Sequence, residues 1–171
     1  MLIHYADRGR PRNRRVFRRG EVKQKKLKNM AIDKTLIKTV NINATPKKVW
    51  EALTNPEIIK LWLYGTNVIS DWKPGSPILF TGNWQGTEYK DKGTILQFEK
   101  EKIFQYNYWS SFSGLSDTSE NYSIISFELT PVPAGTQLTL KHSHFPTETG
   151  YEHSDKNWDA TLALMKSIIE K

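Results

Sequence analysis

The stretch TPKKVWEALTNPEIIKLWLYG, residues 45–65, holds two short helices back to back, and its neighbours decide the fold. Thr45 reads as an N-cap with Pro46 at the first helical position. Val49, Trp50 and Leu53 recur at helical spacing. Asn55-Pro56 breaks that helix and starts a second one, with Ile58, Ile59 and Trp62 along it and Gly65 at its end. Before this stretch, KTLIKTVNINA (34–44) alternates Leu36, Lys38, Val40, Ile42 and Ala44 against polar neighbours, with Ile37 the exception, and reads as a strand. After it the chain turns β-rich. SDWKPGSPILFTGNW (70–84) carries a Pro-Gly turn and a strand through Phe80. YKDKGTILQFEKEKIFQYNYW (89–109) holds two strands with a charged turn at Glu99 to Lys102, and NYSIISFELTPVPAGTQLTLKHSHF (121–145) is a hairpin about PVPAG. A helix from about Asp155 to Glu170, with Ser154 as its cap, ends the chain. Trp158, Thr161, Leu162, Met165 and Ile169 lie along one face of it. Sixteen residues at ~1.5 Å each give a rod of ~24 Å, long enough to cover a sheet.

Strand, two short helices, about six antiparallel strands and one long helix make an α+β domain. The sheet is curved and needs one cover, and the last helix is the element long enough to be that cover. Gly82, Gly86 and Gly93 permit bends or bulges in the sheet.

Composition narrows the function classes. The 171 residues suit one domain, and six Trp, seven Tyr and seven Phe supply a large core or a ring-lined pocket. There is no cysteine, which removes disulfides, thiolate nucleophiles and cysteine zinc sites and suits a cytoplasmic setting. No apolar run is long enough to span a membrane, and the start of the chain has no apolar signal core. The net charge of +7 is unevenly spread: residues 1–30 carry +9 and the remainder −2. The expected division is therefore a basic head, 1–30, and one domain, 31–171. The head leaves three readings: a disordered basic tail, a phosphate-binding arm for nucleic acid, or a non-native start ahead of Met30. Apart from that head, nothing in the sequence points to nucleic acid.

The segments NATPKKVWEALTNPEIIKLW (43–62), SDWKPGSPI (70–78), YKDKGTIL (89–96), YWSSFSGLSDTSENY (108–122), GTQLTLKH (135–142) and Trp158 resemble, in order and spacing, START-like helix-grip (SRPBCC) proteins. More closely, they are similar to the bacterial proteins homologous to the activator of heat-shock protein 90 ATPase. The resemblance spans about residues 35–170. It implies a seven-stranded curved antiparallel sheet gripping the C-terminal helix, two short helices after strand 1, and an internal cavity. Relatives include lipid and hormone carriers, aromatase/cyclases and a eukaryotic co-chaperone domain. His142 falls where the family often has a histidine, and His144 where a small residue is common.

Alternation names the inward side chains: Phe104, Tyr106 and Tyr108 on one strand, Ile125, Phe127 and Leu129 on the next. Leu138, Leu140, His142 and His144 follow on the last strand, and Trp158, Leu162 and Met165 face them from the helix. Trp62, Phe80 and Trp84 are expected to close the mouth or the side. Asp71, Asp91, Asp117 and Glu120 read first as turn formers; Asp117 and Glu120, with Tyr122 near them, are also candidates for its rim. These residues either line a ligand pocket or fill the core. His142 and His144, two apart, are open to four readings: a metal pair completed by His153, a general base, polar groups facing a ligand, or satisfied core histidines. The third is expected, with no metal and no cofactor; SFSGLS is no nucleophile elbow, and phosphate-loop and H-E-x-x-H motifs are absent. The expected function is a binding domain that holds a small apolar or aromatic molecule. Docking on a chaperone and a cyclase or hydrolase activity using His142 are the alternatives.

Overall fold

A computed structural model describes residues 32–171; the basic head and Met30 lie outside the described residues. In chain order the elements are β1 (Leu36–Ile42), α1 (Pro46–Thr54), α2 (Pro56–Trp62), β2 (Asn67–Ser70), β3 (Pro77–Trp84), β4 (Thr87–Glu99) and β5 (Ile103–Tyr108). A 3-10 turn (Ser119–Asn121), β6 (Ser123–Val132), β7 (Gly135–Ser143) and α3 (Glu148–Ile169) complete it. The seven strands form one antiparallel sheet in the order β1-β7-β6-β5-β4-β3-β2. β2 to β7 follow one another as a meander, whereas β1 pairs with β7. The two short helices therefore carry the chain from one edge of the sheet to the other. α3 packs against β1, α1 and α2. This is the helix-grip arrangement expected from the sequence.

Local chemistry sets most boundaries. Thr45 caps α1, its side chain accepting from Lys48 N, and Asn55 both ends α1 and caps α2 through Glu57 N. Gln85 and Gly86, both at positive φ, close the β3–β4 hairpin in two residues. Pro133-Ala134 closes β6–β7. At Gly93 the reason for glycine is space: a Cβ there would stand 1.7 Å from the backbone oxygen of Asn107. The core lies between sheet and α3, where Ile125, Phe127, Leu138, Leu140, Trp158 and Met165 are 0–1% exposed. Burying each such aliphatic or phenyl side chain contributes about 1.5–3 kcal/mol. Among the described residues, no helix is long and apolar enough to cross a membrane.

Four expectations need correction. α3 starts at Glu148 instead of about Asp155, because Thr147 caps it by accepting from Gly150 N. Ser154 is thus no cap but a fully buried residue of the helix interior. Asp91 is not in a turn; it is a buried member of β4. His144 does not share the inward face of His142. β7 ends at Ser143, His144 takes φ 57°, and this reversal turns its side chain out and sends Phe145, 0% exposed, inward. β2 has four residues, too few to stand out in the sequence as a strand of its own, although the expected seven strands are all present.

Candidate functional site

At one end of the grip, the β5–β6 loop (residues 109–122) meets the start of α3. Between them lies a recess lined by Tyr108, Ser110, Ser113, Leu115, Asn121, Ser123, Phe145, Pro146, Thr147 and Gly150. Its free volume is about 20 Å³, room for roughly one water molecule. No lysine, arginine or free carboxylate lines it. The wall is apolar rings and aliphatics with hydroxyls set among them.

Behind this wall runs a directed series of buried hydrogen bonds. The Trp158 indole N–H donates to His142 Nδ1 at 3.2 Å. An indole nitrogen only donates, so Nδ1 is an acceptor and the neutral ring carries its proton on Nε2. Nε2 lies 2.8 Å from Ser123 Oγ and donates to it. The Ser123 hydroxyl in turn donates to the Tyr108 carbonyl at 3.4 Å. Burial pushes His142 down to about 3, and the indole proton on Nδ1 leaves no place for a second one. This order of donors decides one chemical question. A histidine whose Nε2 carries the proton toward Ser123 cannot take a proton from that serine, so the pair is not arranged as base and nucleophile.

A second cluster holds the loop. Asp91 Oδ2 accepts the Tyr108 phenol at 2.5 Å, and Oδ1 accepts Ser110 Oγ (3.2 Å), Ser111 N (2.8 Å) and Ser111 Oγ (2.9 Å). Four donors satisfy a carboxylate that is 1% exposed. Burial, then the neighbouring Asp91 charge, holds the Tyr108 phenol well above its ordinary range. The next residue, Lys92, points to the other face of β4. It pairs with Asp117 and lies 5.6 Å from the Trp109 ring centroid. Tyr122 Oη donates to Asp117 at 2.6 Å. Burial and that bond push the Tyr122 phenol up to about 12. Two consecutive residues of β4 thus fasten the loop, Asp91 at its start from inside and Lys92 at its middle from outside.

The family model for Activator of Hsp90 ATPase homolog 1-like protein matches residues 43–170. The chain belongs to this family. The solution structure of ChR145 from Cytophaga hutchinsonii is 43% identical, with 82% of this chain and 97% of that chain covered and a TM-score of 0.71. Protein MLL2253 from Mesorhizobium loti is 23% identical over 80% of this chain and 97% of that one, TM-score 0.67. The Aha1 dimer from Colwellia psychrerythraea is 20% identical over 80% and 96%, TM-score 0.64. The last two agree in fold alone. The chain matches no curated protein.

Within this Hsp90-activator-homologue fold, the side chains expected from the sequence sort into three groups. Phe80, Phe104, Tyr106, Phe127 and Trp158 form a continuous run of rings, with centroids 5.0–6.3 Å apart in successive pairs. Leu162 and Met165 are buried beside them. At those spacings the rings fill the space between themselves. The recess lies at the end of the run, beside Tyr108, which packs edge-on to Phe80 at 5.7 Å. Trp62, expected at the mouth, is core: its indole donates to Ala52 O at 2.8 Å and locks α2 onto α1. Trp84 stands half-buried beside the β3–β4 turn, and Tyr122 half-buried at the end of the loop. His142 is central and His144 is outside. Among the described residues, no three His, Cys, Asp or Glu side chains are grouped to hold a metal. Sequence reasoning missed Asp91, Ser110, Ser123, Phe145 and Gly150. Ser123 could have been found, since it precedes the inward set Ile125, Phe127, Leu129 by one alternation. Phe145 could not, because the left-handed residue before it breaks the alternation.

Proposed function

We propose that this chain is a small-molecule-binding helix-grip domain that takes a small, largely apolar ligand between the β5–β6 loop and the start of α3. The observation that carries the reading is the recess itself: apolar walls, hydroxyls among them, and a fully paired polar series behind. Such a composition suits a ligand pocket, whose few polar groups orient an apolar body. The closed recess holds about one water, so a larger ligand enters by lifting the loop off its Asp91 and Lys92 fastenings. The aromatic run from Phe80 to Trp158 then forms the floor. The arrangement of His142 favours binding over catalysis, because its proton points at Ser123. A cytoplasmic setting goes with this reading, given a chain without cysteine.

Thermal shift of the full chain against a panel of neutral aromatic and lipid-like compounds tests it. At least one compound is expected to raise Tm by about 3 °C or more, as mass action requires for a ligand well above its Kd. No shift across the panel contradicts the reading. A second reading, docking on a chaperone, draws on the family description and on exposed Leu61 and Ile69, 61% and 62% accessible. Pull-down with the host chaperone, with no capture, removes it.

A further inference from the structure

Two buried side-chain oxygens lack a hydrogen-bond partner among the described residues, Ser126 Oγ and Ser154 Oγ. Buried polar groups are nearly always paired, so each exception calls for a reason. Ser126 alternates with the inward residues Ile125 and Phe127 of β6 and belongs to the other face of the sheet, away from α3. Ser154 is on the gripped side and is 0% exposed. Helical hydroxyls ordinarily bond back to a carbonyl of the preceding turn. In this same helix Thr161 does so to Asn157 O at 2.9 Å, and Ser167 to Leu164 O at 2.8 Å. Ser154 does not. It stands midway along one buried face, a turn beyond Gly150 and a turn before Trp158. Each step of four residues rises about 6 Å along the helix. Gly150 walls the recess, and Trp158 is the donor to His142. Ser154 does not itself wall the recess; its unpaired hydroxyl stands one turn along α3 from Gly150, which does, and one turn from Trp158, the first member of the closed polar series.

We propose that Ser154 Oγ is the polar anchor of the ligand site, receiving the single hydroxyl or carbonyl oxygen of an uncharged small molecule with an aromatic or alicyclic body. This rests on the binding reading above and narrows it to a chemical class. Charge is disfavoured from both sides. An anion finds no lysine or arginine in the lining, and the one α3 residue there, Gly150, has its amide already held by Thr147 Oγ1 at 3.1 Å. A cation finds only Asp91, whose oxygens already accept Tyr108, Ser110 and Ser111. Gly150 walls the recess without a side chain of its own, one turn of α3 before Ser154.

Phenol, toluene and benzoate share one ring and differ in the group tested. Each is titrated into the full chain and into Ser154→Ala, following the backbone amides of Leu115, Ser123, Gly150 and residue 154 by NMR. Phenol is expected to shift these amides and to bind Ser154→Ala about five- to tenfold more weakly, the worth of one buried hydrogen bond. Toluene is expected to bind both proteins alike, and benzoate neither. Equal phenol affinity for the two proteins overturns the anchor. So does a parallel loss of toluene binding, which would mark Ser154 as packing only, or the absence of any phenol shift at these amides. Benzoate binding as well as phenol overturns the restriction to neutral ligands. In each of these cases the broader binding reading still stands or falls on the compound panel.

Discussion

Gly93→Ala is expected to prevent folding or to cost more than about 4 kcal/mol, a large share of the roughly 5–15 kcal/mol that holds a domain together. The added methyl carbon would lie 1.7 Å from Asn107 O and 2.9 Å from Asn107 C. Both are backbone atoms, so no side chain can swing away. β4 and β5 would have to part at a point clamped on each side. Lys92 and Trp109 exchange two backbone bonds there, at 3.0 and 2.8 Å, and Thr94 N donates to Asn107 Oδ1 at 2.6 Å. Parting the strands also pulls Tyr108 from Asp91, two residues from Gly93, and leaves a buried carboxylate short of donors. Far-UV circular dichroism and urea unfolding check this. A variant that folds within about 0.5 kcal/mol of the wild type, inside the ordinary spread for surface changes, would contradict the description of the β4–β5 contact.

Changes at Trp158 and His142 separate packing from polarity. Trp158→Ala removes a 0% exposed indole from the ring run and is expected to cost about 3–5 kcal/mol. Trp158→Phe keeps a ring but strips the donor from His142 Nδ1, and is expected to cost about 1–3 kcal/mol for the orphaned acceptor. The pH dependence follows from the same bond. Folding lowers the pKa of His142 from 6.5 to about 3. Between those values the unfolded chain binds the proton that the folded chain refuses. Stability is therefore whole above pH 6.5 and falls as pH drops toward 3, by up to a few kcal/mol. Carboxylates add their own losses below about pH 4.5, so the informative quantity is a difference. His142→Gln can accept from Trp158 and donate to Ser123 without titrating. Urea unfolding at pH 7 and pH 5 is expected to show wild type losing more than the glutamine variant. Equal losses would mean that His142 is not held neutral.

Much of the fold was legible because its signals are local. Thr45-Pro46, Asn55-Pro56 and Pro133-Ala134 sit at the boundaries that capping and turn chemistry assign them. The inward residues that alternation named on β5, β6 and β7 are buried as far as His142, although Ser123 at the start of β6 was passed over. What failed was non-local or broke a period. The first turns of α3 carry Glu148, Gly150, Glu152 and His153 and show no apolar stripe, so the helix reads short, although Thr147 caps it and Gly150 and Ser154 pack inward. Asp91 looks like a turn residue until four donors from one distant stretch, residues 108–111, converge on it. Phe80, Phe104, Tyr106, Tyr108, Phe127 and Trp158, expected to wall a chamber, are buried, but whether such rings stand apart or touch depends on sheet curvature, which alternation does not encode. Here they touch, and the candidate site moves to their end.

The most direct measurement is where a bound compound sits. Nuclear Overhauser contacts from a Tm-raising compound to the full chain are predicted at Leu115 on the loop, Phe145 after β7 and Gly150 on α3, the three sides of the recess. Contacts confined to outward-facing residues such as Ile37, Ile69 or His144 would contradict a site inside the grip.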